Sequence, residues 1–101
     1  MSNFRFLRRL RSNARSEECA HVALVHPVEP TSTGCQPCIA AGDTWVHLRA
    51  CLTCGQVGCC DESRNKHATK HYLATAHPLI QSLEPEENWW WCFVDEVMVS
   101  D

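Results

Sequence analysis

Apolar residues in this chain fall in short bursts, and no stretch keeps one period for long. Phe4, Leu7 and Leu10 recur at i, i+3 and i+6 among arginines, the pattern of a short amphipathic helix. Val22-Ala23-Leu24-Val25 is a strand-like run that Pro27 and Pro30 close. After a turn at Gly42-Asp43, Trp45 to Ala50 alternates as a strand does, and Gln56-Val57-Gly58 adds a short segment. A helix is expected next, running to about Thr75, with Asp61, Ser63 and Asn65 each able to cap it. It ends before His77-Pro78, because proline disfavours helix in the residue ahead of it. Leu79 to Leu83 reads as a strand, Glu84 to Asn88 as a polar turn, and Trp89 to Val99 as one strongly β-prone strand.

Between these elements stand thiols and imidazoles at the spacing of metal ligands. Cys35-Gln36-Pro37-Cys38 and Cys51-Leu52-Thr53-Cys54 are two CxxC knuckles, and the second is followed by Gly55, which can turn backbone N–H groups toward sulfur. His67 and His71 lie four apart, on one face of the expected helix, and His77 follows. Strand, knuckle, strand and helix in that order is a treble-clef-like arrangement. Zinc needs four S, N or O donors from converging segments, and three such sets use nearly all that the chain offers. Cys35 and Cys38 take Cys59 and His67, with the adjacent Cys60 the alternative to Cys59. Cys51 and Cys54 take His71 and His77. Cys19 and His21, half a site by themselves, take Cys92 and Asp95 from the far end of the chain. His47 is left over as a strand histidine facing solvent or stacked on Trp45.

Eight cysteines in 101 residues demand either metal or disulfides, and only metal accounts for the histidines. No signal peptide and no apolar run of membrane-spanning length is visible, so the thiols are expected to be reduced in a cytoplasmic setting. Charge splits the chain into an arm over residues 1–15 and a domain over 16–101. The arm carries five arginines and no acid, while the domain holds all twelve acids against four basic residues. Such a body is no nucleic-acid platform, and only the arm could touch RNA. One structural zinc is worth roughly 10–16 kcal/mol of apparent binding free energy. The net stability of a whole domain is about 5–15 kcal/mol. The metal-free chain is therefore expected to be largely unfolded.

The order Cys-x-His, CxxC, Trp, CxxC-Gly, Cys, three histidines ending in His77-Pro78-Leu79, then Trp91-Cys92 resembles the UBP-type zinc finger of ubiquitin-specific proteases and a cytoplasmic histone deacetylase. The resemblance spans residues 19–99 and is nearest to stand-alone bacterial members. It implies a small zinc-stabilised α+β domain, a twisted antiparallel sheet with one or two helices. Its multi-zinc members pair their ligands as above, except that they carry cysteine where this chain has Asp95. Members that bind ubiquitin hold its C-terminal carboxylate with an arginine inside an aromatic pocket. Here Asp61 follows Cys59-Cys60 where that arginine is expected, which reverses the electrostatics. Trp45 and Trp91 look equivalent to two of the pocket's aromatics, Phe93 replaces a tyrosine, and Met98 stands where another tyrosine is expected.

The expected function is thus a non-catalytic module that presents Trp45, Trp91 and Phe93 to a protein or peptide, a free C-terminus being one option. Ubiquitin, membrane and nucleic acid are disfavoured as partners. The alternative is a small zinc or thiol enzyme acting through Cys60 or an open Cys19/His21/Cys92 site, although no HExxH or H-x-E motif is present.

Overall fold

The computed structural model describes residues 19–100, so the arginine arm and its expected helix lie outside the described residues. A one-turn 3-10 helix, Ala20–Leu24, comes first. It is followed by α1 (Gln36–Ala41), β1 (Leu48–Cys51), β2 (Val57–Cys59), α2 (His67–Thr75), β3 (Leu79–Ser82), β4 (Trp89–Cys92) and β5 (Val97–Ser100). The five strands form one antiparallel sheet in the order β2-β1-β3-β4-β5. This is the α+β architecture that the resemblance to the UBP-type zinc finger implies.

Two glycines set how closely the elements approach. A Cβ on Gly58 would come within 2.7 Å of the Ala68 backbone nitrogen, so glycine there lets α2 lie against β2. Gly55 sits at φ +83, and a Cβ there would strike the Glu29 carbonyl at 2.2 Å. That close pass lets the Gly55 carbonyl accept the Thr31 N–H at 2.8 Å, which stitches the Pro30 segment to the second knuckle.

Four expected elements take another form. The Val22 run is no strand and has no ladder partner among the described residues. Val22 donates to the Cys19 carbonyl and Val25 to that of Val22, closing a local turn instead. A short helix, α1, emerges from the first knuckle, with Pro37 in its opening turn and Gly42 just past its end. None of the three anticipated caps serves α2. Asp61 accepts the Thr69 hydroxyl, Ser63 accepts the Val46 N–H, and Asn65 donates to Asp43. The first N–H of the helix, that of His67, donates instead to Cys59 Sγ at 3.2 Å, so a sulfur takes the place of a capping oxygen. Lastly, Trp89 to Val99 is a hairpin and not one strand. Glu96 takes φ 55 and donates to the Cys92 carbonyl at 2.8 Å, which turns the chain and brings Asp95 back toward Cys92.

Burial concentrates around the thiols. One core gathers Cys19, Val22, Leu52, Leu79, Trp90, Cys92 and Val99. A second is formed by Cys35, Cys38 and Cys59, with Trp45 and Leu48 packed on it. In β4 the alternation is decisive: Trp90 is fully buried, while Trp89 and Trp91 face the other side, half-exposed.

Candidate metal centres

Twelve donors converge in three groups of four: Cys35/Cys38/Cys59/His67, Cys51/Cys54/His71/His77 and Cys19/His21/Cys92/Asp95. Different elements deliver them. Cys35 and Cys38 flank the start of α1, Cys59 ends β2 and His67 opens α2. Cys51 ends β1, His71 lies one turn into α2 and His77 follows that helix. Cys92 ends β4, and Asp95 sits in the hairpin turn.

The spacing within each group tests whether zinc fits. Tetrahedral zinc, with Zn–S near 2.3 Å and Zn–N near 2.0 Å, places its donors about 3.8 Å apart for S···S, about 3.5 Å for S···N and about 3.3 Å for N···N. In the first group Cys38 and Cys59 sulfurs are 3.8 Å apart, and His67 Nδ1 lies 3.3–3.5 Å from Cys35, Cys38 and Cys59. In the second, Cys51 is 3.5 Å from His77, Cys54 is 3.4 Å from His71, and the two imidazole nitrogens are 3.3 Å apart. In the third, His21 Nδ1 is 3.5 Å from Cys19 and 3.6 Å from Cys92, while Asp95 Oδ2 is 3.0 Å from both Cys19 and His21. The groups have the size of zinc's coordination shell. Each also has a backbone N–H aimed at a sulfur: His67 to Cys59, Thr53 to Cys51 and Asp95 to Cys92. Such donors favour thiolate over thiol.

Without a cation the thiols of Cys19, Cys35 and Cys51 favour their protonated form. Burial above all, then hydrogen bonding to Asp95 and Cys92, pushes the Cys19 thiol up to about 12. Burial, with the Cys38 and Cys59 thiols alongside, pushes Cys35 up to about 11, and Cys51 is raised chiefly by burial. His71 is lowered, first by burial and then by the charge of His77. Asp95 is held below its ordinary range by its hydrogen bonds from Cys19 and His21. Binding zinc to such groups displaces protons, so affinity climbs with pH. When bound, the ion supplies cross-linking between elements, and every group of four is complete without a water.

A cavity of about 400 Å³ opens on the sheet face that carries Ile80 and Trp91, walled by Trp89, Trp91, Phe93 and Met98. His47, Cys60, Asp61, Glu62 and Glu87 also border it. Arg49, the single guanidinium that lines it among the described residues, is already engaged: it stacks 4.6 Å above Trp89 and donates to Glu87 and Ser82. Phe93 is backed by Tyr72 of α2, with stacked rings 4.7 Å apart.

Trp91 and Phe93 therefore lie where the sequence places them, and Trp45 does not. It packs on the Cys35/Cys38/Cys59 core, its ring so close to Gly34 that a Cβ there would meet it at 3.2 Å. The reason is where the strand begins. β1 starts only at Leu48, so Trp45 precedes the pleat and turns onto the Cys35/Cys38/Cys59 core. Trp89 fills the vacated role, and its two-residue spacing from Trp91 is the signal that could have found it. His47, expected in solvent or on Trp45, instead lines the cavity 3.7 Å from Glu62. Burial raises the Cys60 thiol, but hydrogen bonds from the Ser63 hydroxyl and from the backbones of Glu62, His47 and Ser63 outweigh it. The net shift is downward.

Known proteins place this geometry. A family model described as a zinc finger in ubiquitin hydrolases and other proteins matches residues 35–101. The RING finger protein ETP1 homolog of Schizosaccharomyces pombe is 32% identical over 77 residues, 76% of this chain and 13% of that protein. The NAD-dependent deacetylase sir2A of Dictyostelium discoideum is 31% identical over 67 residues, 66% of this chain and 12% of its own length. The chain thus spans about an eighth of these curated relatives. The solution NMR structure of a Rhodopseudomonas palustris protein superposes with a TM-score of 0.75 at 55% identity, covering 81% of this chain and 80% of that one.

Proposed function

The chain belongs to the family of zinc fingers found in ubiquitin hydrolases and other proteins, and on that footing we propose that it is a non-catalytic interaction module. Its binding site is the aromatic cavity and its occupant a protein or peptide segment. The observation that carries this reading is the Trp89/Trp91/Phe93 wall, which borders a cavity of about 400 Å³ between the sheet and α2. Large half-exposed aromatics are the usual anchors of a peptide site.

Charge selects the kind of segment. Asp61, Glu62 and Glu87 border the cavity against one guanidinium that Glu87 already engages. A carboxylate-terminated tail such as ubiquitin's would meet like charge there, whereas a lysine or arginine side chain gains both the carboxylates and the ring faces. A structural role for the metals is supported by the four protein donors of each cluster, since catalytic zinc keeps a position open. In the third cluster Asp95, 3.0 Å from Cys19 and from His21, takes that position.

The test is NMR titration of the zinc-loaded protein with two peptide sets, one bearing basic side chains and an amidated C-terminus, the other ending in a free Gly-Gly carboxylate. Shifts at the Trp89, Trp91 and Phe93 resonances are expected with the first set and should vanish in Trp91→Ala. Silence of these resonances with every peptide would overturn the reading, and a preference for the carboxylate set would overturn its charge assignment.

A further inference from the structure

We propose that His47, Cys60 and Glu62 form a fourth divalent-metal site at the border of the aromatic cavity, distinct from the three groups of four donors. The imidazole, thiol and carboxylate donor atoms lie within 4.8 Å of one another, and His47 Nδ1 is 3.7 Å from the Glu62 carboxylate. A mixed S, N and O set of this kind suits a borderline ion such as Zn²⁺ or Co²⁺ better than Mg²⁺ or Ca²⁺.

The local structure holds these donors in place. The Cys60 N–H donates to the His47 carbonyl at 3.0 Å, which locks the two segments side by side. Ser63 Oγ accepts the Val46 N–H at 2.8 Å, leaving its own proton for Cys60 Sγ at 3.5 Å. Supporting hydrogen bonds like these orient metal ligands. Successive side chains leaving β2 point to opposite sides, so Cys59 serves the first zinc cluster while Cys60 faces the cavity. The neighbouring cysteines thus feed two different sites.

Three protein donors beside a cavity leave a position for water or for a group on the cavity's occupant. Glu62 is mostly exposed, with 77% of its side chain accessible, so this ion should exchange faster and bind more weakly than the other three. A divalent ion that displaces the Cys60 thiol proton adds one net positive charge, which would offset part of the cavity's acid excess, weakening a basic peptide and favouring a carboxylate. The metal site itself does not depend on the peptide reading, because counting ions requires no peptide.

The experiment is a titration of the full chain with ¹¹³Cd²⁺ followed by ¹¹³Cd NMR. Three resonances should fill first, and a fourth should follow at the shift of a single-thiolate site. Glu62→Gln and Cys60→Ser should each remove that fourth resonance and leave the other three unchanged. If Cys60→Ser does not fold, the exposed Glu62→Gln and His47→Gln decide. Saturation at three ions, or a fourth resonance that survives Glu62→Gln and His47→Gln, would overturn the proposal.

Discussion

The Cys35/Cys38/Cys59/His67 cluster and the Cys19/His21/Cys92/Asp95 cluster collect the same number of donors by different routes. In the first, all three sulfurs are fully buried and the ligands come from α1, β2 and α2, so the ion would join two helices to the sheet edge. The second closes over a sequence separation of 76 residues between Cys19 and Asp95, and its carboxylate is exposed. One is a keystone inside the fold, the other a clasp between its ends. The difference shows that equal coordination number does not mean equal weight in stability: what matters is how much structure each ion connects and how much of its shell water can reach.

Complete removal of metal should have the largest effect. Each structural zinc is worth roughly 10–16 kcal/mol, more than the chain's cores can replace. Chelation should abolish both the far-UV circular dichroism of the sheet and helices and the cooperative melt. A native spectrum after chelation would show that apolar burial suffices.

Single ligands should then separate keystone from clasp. Cys59→Ser removes a fully buried sulfur that also receives the first N–H of α2, so a loss above about 4 kcal/mol, or failure to fold, is expected. Asp95→Ala should cost one zinc equivalent and some thermal stability while a cooperative melt remains, because the other two clusters keep all four donors. Equal damage from both, measured by metal analysis and denaturant unfolding, would erase the distinction.

Acid should sharpen the comparison further. His71 is depressed below the ordinary imidazole value of 6.5, so the fold favours its neutral form. Stability from this group is present above about 6.5 and is lost as pH falls through the lower folded value. The Cys51/Cys54/His71/His77 cluster carries two imidazoles and should release its zinc first on acidification, ahead of the three-thiolate cluster. Zinc release followed with a chromogenic chelator, with ¹¹³Cd NMR to identify the site, tests this order.

The smallest effect concerns backbone strain. Lys66, Ala76 and Glu96 all have positive φ, and each adjoins a donor: His67, His77 and Asp95. Aiming these donors holds L-residues in the left-handed region, at about 1–2 kcal/mol each. Ala76 is exposed, and Ala76→Gly should stabilise the zinc-loaded protein by about 1 kcal/mol, read as a higher urea midpoint. A lower midpoint would mean that the strain is not relieved there.

Metal-ligand chemistry could be read directly from residue spacing. CxxC pairs, imidazoles four apart and the orphan Cys19-x-His21 each require partners of a known kind, and few donors remained from which to choose. The two knuckles, the α2 helix and the β3 strand were legible for the same reason, because their signals lie within a few residues. The direction in which the aromatics point was not legible. Trp45 lies off the cavity because β1 begins three residues later than its alternation suggests, and Asp95 and Glu96 fold the last β-prone run into a hairpin. The α2 cap was equally hidden, since a cysteine sulfur eight residues away in sequence supplies it. Ligand identity is a local property of side-chain chemistry. Which face of a sheet a side chain occupies depends on neighbours that only the assembled fold brings together.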